Sequence, residues 1–93
     1  MSTFVIAGLG NPGPTYQWTR HNAGFLFLDR LANLENLSIS RKSFSGLAGE
    51  WTRKDDRLVL LKPQTFMNLS GRAVMQALQF YKLPLSNLIV VHD

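Results

Sequence analysis

The chain contains no cysteine and only two histidines, His21 and His92. Disulfides and thiolate metal sites are thereby excluded, and a histidine-rich metal cage cannot be assembled. No apolar run approaches the roughly 18 residues that a membrane-spanning helix needs. The N-terminus also lacks the basic region and long apolar core of a signal peptide, so the expectation is a cytoplasmic protein. Internal repeats and low-complexity tracts are missing. Acidic residues are few: six against ten Lys and Arg, a net charge of +4 that favours a polyanionic partner. What is there is ordinary for a globular chain, with 45% hydrophobic residues, and 93 residues set one domain at most, with a modest core.

The rest of the chain can be arranged around Gly8 to Gly24, GLGNPGPTYQWTRHNAG. Its glycines and prolines impose an irregular backbone, and apolar runs lead in (Phe4 to Ala7) and out (Phe25 to Leu31). That pattern reads as strand, rigid loop, helix. Such a loop lies beyond the carboxyl end of its strand, where open α/β sheets place their ligands. Gly8, Gly10 and Gly13 match the spacing of a dinucleotide fingerprint. In that fingerprint the last glycine already packs inside the helix, whereas here Pro14 follows at once and helical spacing starts only after Thr19. A nucleotide-binding module would also need an acidic ribose ligand after a second parallel strand. Glu35 has about the right spacing, yet no clear strand precedes it.

Taken in order, Thr3 to Gly8 reads as a central strand, apolar on both faces. A helix follows from about Asn22 to Ala32, with Phe25, Leu28 and Leu31 as its apolar stripe. Asn33 to Ser45 reads as a connection with Arg41 and Lys42 solvated. Leu47 to Arg53 and Arg57 to Lys62 form a hairpin around Lys54-Asp55-Asp56, the second run the more buried. From Asn68 or Ser70, either of which can cap it, a helix runs to Tyr81, with Ala73, Ala77 and Phe80 in one apolar row and Val74, Leu78 and Tyr81 in the next. Leu88 to Val91 is a last strand that delivers His92 and Asp93. The order is β-α-β-β-α-β, and the expected fold is a single α/β domain with a mixed sheet and helices packed on it.

Asn11, His21, Asn68 and Asp93 then stand at loop positions beside strand or helix ends. Singly, each has a plain reading: a turn residue before Pro12, a surface histidine, a helix cap, a solvated chain-end carboxylate. Together they supply a general base, an orienting carboxylate and two neutral amides. That set suits ester or amide hydrolysis without a covalent intermediate, since there is no cysteine and no serine in a nucleophile elbow. Lys62 reads as solvated.

These residues resemble the bacterial peptidyl-tRNA hydrolase family. The resemblance is carried by Gly8-Leu9-Gly10-Asn11-Pro12-Gly13, by Tyr16, by Thr19-Arg20-His21-Asn22-Ala23-Gly24, by Lys62-Pro63 with Thr65-Phe66-Met67-Asn68-Leu69-Ser70-Gly71, and by His92-Asp93. It implies a single mixed-sheet α/β domain that cleaves the ester joining a peptide to the 3′-terminal ribose of tRNA, without metal or cofactor. It implies His21 as the base that activates water and Asp93 as its orienting carboxylate. Asn11 and Asn68 would hold the substrate, with Tyr16 and Met67 lining the cleft. Arg20, Lys62 and Arg72 are the candidate tRNA contacts. The family's chain is about twice as long, so residues 1–93 correspond to its N-terminal part. They lack the further strands, the lid and much of the basic surface that the family implies. A full-length member is expected to be monomeric, whereas this half is expected to need the missing half or to self-associate. A non-catalytic RNA-binding domain on the same scaffold would fit the charge without using His21. Release of peptide from tRNA, with His21 intact and replaced, separates these readings.

Overall fold

A computed structural model of the chain describes residues 2–10, 23–64 and 70–92. Strand β1 (Thr3–Gly8) is followed by helix α1 (Ala23–Leu34), strands β2 (Arg41–Ser43), β3 (Gly46–Arg53) and β4 (Asp56–Pro63), helix α2 (Ser70–Tyr81), a 3-10 turn (Leu85–Asn87) and strand β5 (Leu88–Val91). The five strands form one sheet in the order β2-β3-β4-β1-β5. β1 is parallel to β4 on one side and to β5 on the other, while β3 runs antiparallel to β4 and to β2. The mixed α/β sheet with two helices is the expected one, with β1 at the centre of its parallel part.

Alternation along the strands separates two apolar layers. Val5 and Ala7 of β1, Val59 and Leu61 of β4 and Ala48 of β3 pack with Ala73, Val74, Ala77 and Leu78 of α2 in one core. The opposite face receives α1, whose Leu28 lies against Gly8 and whose Asp29 and Phe25 meet Lys62. Val59, Leu60 and Leu61 are completely buried, as expected for the more enclosed arm of the hairpin. β5 is an edge strand of the described sheet, and Ile89 and Val90, which point to opposite faces, are about half exposed.

Three readings of the sequence are corrected. The connection after α1 contains a strand, β2, so the order of elements is β-α-β-β-β-α-β. Its Arg41-Lys42-Ser43 sequence shows no apolar alternation because the strand is short, polar and at the edge. α1 buries Phe25, Leu28 and Ala32, with Leu31 only half buried, and it runs on to Leu34. Asn36 ends it in the left-handed conformation (φ 57°), and the Leu37 N–H donates to Ala32 O at 2.8 Å, a Schellman-type closure. Phe80, placed in the apolar row of α2, is 69% exposed.

Candidate active site

The carboxyl ends of the three parallel strands come out at one level. Ala7 is in register with Leu61 and Gly8 with Val91, so β1, β4 and β5 stop together at Gly8, Pro63 and Val91. The connection leaving β1 enters α1 on one face, and the connection leaving β4 enters α2 on the other. Adjacent parallel strands whose connections part to opposite faces open a crevice between them, the usual ligand position in sheets of this kind.

Glycine sets how closely the helix approaches this edge. A Cβ on Gly24, in the first turn of α1, would run into Leu9 N and Val91 O and would lie 2.6 Å from Leu9 O. A Cβ on Gly8 would meet Gly24 O and lie 2.8 Å from Leu28 Cδ1. The two glycines therefore let α1 dock its N-terminus directly on the ends of β1 and β5. Those ends are tied further by the Leu9 N–H donating to Val91 O at 2.9 Å. Close helix–strand packing thus accounts for Gly8 without a bound pyrophosphate.

At the end of β4, Lys62 is not solvated. Its side chain is 15% exposed, its Nζ donates to Asp29 Oδ1 of α1 at 2.6 Å, and the ammonium lies 5.2 Å from the Phe25 ring centroid. The reason is the alternation of β4, which turns Lys62 to the α1 face beside the buried Leu60. Two residues further on, Gln64 donates its backbone N–H to Ser45 O at 2.9 Å and so holds the β2–β3 turn against this end of β4. Across the crevice, Ser70 opens α2; it is 2% exposed and its hydroxyl has no hydrogen-bond partner among the described residues. Arg72 is exposed in the same turn.

Residues 5–93 match the peptidyl-tRNA hydrolase family model. The chain belongs to the peptidyl-tRNA hydrolase family. It is 82% identical to the peptidyl-tRNA hydrolase of Pelobacter propionicus over its whole length and 77% identical to that of Trichlorobacter lovleyi, covering 48% of each. The chain thus spans about half the length of the curated relatives it matches. The crystal structure of peptidyl-tRNA hydrolase from Acinetobacter baumannii superposes with a TM-score of 0.89 at 37% identity, over 97% of this chain and 46% of that one.

Of the candidate site residues, Asn11, Tyr16, Arg20, His21, Met67, Asn68 and Asp93 lie outside the described residues. Lys62 and Arg72 lie inside them, at the end of β4 and the start of α2. Of the described residues that flank the other candidates, Ala23 and Ser70 open α1 and α2, while Gly10, Gln64 and His92 follow β1, β4 and β5 within two residues. For Lys62, a phosphate would have to compete with Asp29.

Sequence reading missed the part that Gly24 plays in seating α1, because a glycine inside a helix has no local signature. It also missed the gathering of Phe44, Phe80 and Tyr81 with Arg41 and Arg57, which come from three separate parts of the sequence. The Lys62–Asp29 pair spans 33 positions and was equally invisible.

Proposed function

We propose that this chain forms part of an enzyme that hydrolyses the ester between a peptide and the 3′ end of tRNA, with the crevice at the ends of β1, β4 and β5 as its active site. The observation that carries the proposal is the convergence of those strand ends with the starts of α1 and α2, in a chain that matches the family over residues 5–93. Chain connectivity supports the residue assignments. His21 stands two positions before α1, Asn68 two before α2 and Asp93 two after β5.

In this reading His21 takes a proton from water as the water attacks the ester carbonyl. Asp93 orients the imidazole and favours the imidazolium that forms, while the positive end of α1 opposes premature protonation. Asn11 and Asn68 hold the substrate and position its carbonyl, and their neutral amides can donate to the oxygen on which charge develops. Tyr16 and Met67 line the cleft. Arg20 and Arg72 contact the tRNA backbone, with Lys62 beside them as a weaker candidate because Asp29 already holds its ammonium. Water is the only co-reactant this scheme requires.

Peptide release from peptidyl-tRNA by the full-length protein carrying this chain tests the reading. Replacing His21 with Ala should abolish nearly all turnover while leaving substrate binding largely intact, and Asp93→Asn should cost less because an amide still orients the ring. Retention of most of the rate by His21→Ala would reject the base assignment.

A further inference from the structure

A second concave surface lies where β2, β3 and β4 meet the end of α2. Phe44, Phe80 and Tyr81 pack together there: Phe80 meets Phe44 and Tyr81 edge to face, with ring centroids 5.4 and 4.9 Å apart, and Phe44 and Tyr81 are tilted to each other at 5.9 Å. They border a cavity of about 450 Å³ whose polar wall includes Arg41, Glu50 and Arg57. Arg57 is the second residue of β4, near the opposite end of that strand from the crevice described above.

Phe44 occupies a position that the turn itself does not favour. Phe44 and Ser45 form the two-residue link between β2 and β3, and both have φ of 55°. A link with two positive φ values favours Asn-Gly, and side chains such as phenylalanine are disfavoured there. Its ring nevertheless joins Phe80 and Tyr81, and it leaves most of Phe80 in solvent. An apolar ring so exposed, beside two guanidinium groups, is a feature of binding surfaces rather than of cores.

The charges complete the surface. Arg57 Nη2 donates to Glu50 Oε1 at 2.6 Å, and its guanidinium lies 5.1 Å from the Tyr81 centroid. The hydrogen bond and the charge of Glu50 hold the Arg57 guanidinium above its ordinary range, so it is a fixed cation. Arg41 approaches the same carboxylate at 3.9 Å and donates to the Tyr81 hydroxyl at 3.5 Å, with half its side chain exposed. Two guanidiniums thus share one carboxylate, which leaves a positive excess and donors still available to a ligand.

We propose that this pocket binds an unpaired nucleotide of RNA, the base stacking on Phe80 and the phosphate meeting Arg41. Exposed ring faces beside arginine are how proteins hold bases that are free of a duplex, and the chain's charge of +4 suits a polyanion better than a second copy of itself. That the RNA is the tRNA of the substrate rests on the function proposed above; the pocket's preference for RNA is tested independently of it.

In the full-length protein carrying this chain, binding of a labelled tRNA is measured together with turnover of peptidyl-tRNA and of a minimal substrate, an N-blocked aminoacyl ester of a mononucleotide. Phe80→Ala should weaken tRNA binding by roughly 5-fold or more and raise KM for peptidyl-tRNA, with kcat and turnover of the minimal substrate unchanged. Phe80→Trp should restore binding, and Phe80→Leu should not. Arg41→Gln should weaken binding and reduce its salt dependence by about one counterion. Wild-type affinity in Phe80→Ala, or full rescue by Leu, would overturn the proposal. So would self-association of the wild-type protein that Phe80→Ala abolishes. If neither substrate is turned over while Phe80→Ala still weakens tRNA binding, the nucleotide site stands and the hydrolase reading falls.

Discussion

The seating of α1 gives a quantitative expectation for Gly24→Ala. The added methyl would lie 2.6 Å from Leu9 O and closer still to Leu9 N and Val91 O, where contacts with carbon normally begin near about 3.5 Å. All three atoms are backbone, and two of them form the Leu9–Val91 hydrogen bond, so no side-chain rotation can relieve the overlap. The helix start must retreat by about 1 Å. Overpacking of this kind costs about 1–3 kcal/mol, a melting temperature lower by several degrees. His21 lies three positions upstream of Gly24, and a misplacement of about 1 Å near a reacting group costs on the order of 100-fold in rate. Gly71→Ala is the matched control, because a Cβ there meets nothing within 4 Å among the described residues and alanine favours the helix by about 0.5–1 kcal/mol. The assay is thermal melting and kcat/KM on the full-length protein carrying each substitution. Gly24→Ala with wild-type melting and turnover would refute the packing argument.

Further expectations follow from the same edge. Asp29→Asn should destabilise by about 1 kcal/mol more than Lys62→Met, because it leaves a largely buried ammonium without its counter-charge whereas methionine removes both the charge and the need for it. Urea unfolding reads the difference, and equal or reversed costs would contradict an internal role for Lys62. Ser70→Ala should be neutral or stabilising by up to about 1 kcal/mol, since the buried hydroxyl has no partner among the described residues; a loss above that size would mean that the hydroxyl is engaged. Binding of tRNA should weaken as salt is raised, and a salt-independent affinity would argue against a polyanionic ligand.

Much of this architecture was legible in the sequence for a physical reason. β1 and β4 are apolar on both faces because α2 packs on one side of them and α1 on the other, and such runs announce themselves without alternation; β5 reads the same way although its Ile89 and Val90 are about half exposed. The β3–β4 hairpin was equally plain from Lys54-Asp55-Asp56 between two β-like runs, although Asp56 already belongs to β4; Lys54 in the link has a positive φ of 55°. β2 was not legible, since three polar residues at an edge carry no periodicity and its turn uses Phe44-Ser45 where Asn-Gly would have signalled a hairpin. The far end of α1 was carried by Asn36, a residue tolerant of the left-handed conformation, but the polar stretch around it masked that signal. The candidate site was legible as residue types at loop positions. The contacts that frame it were not, because Lys62 with Asp29, and Gly24 with Val91, depend on strand order rather than on neighbouring sequence.

In the function proposed above, His21 serves as the base of an ester hydrolysis carried out at the ends of β1, β4 and β5. Its most direct test is single-turnover release of peptide from peptidyl-tRNA by the full-length protein carrying this chain, beside its His21→Ala variant, with tRNA affinity measured on both. Rapid release is expected from the first, almost none from the second, and similar affinity for tRNA in the two. Release by His21→Ala at most of the wild-type rate would contradict it, as would a wild-type protein that binds tRNA and leaves the ester intact.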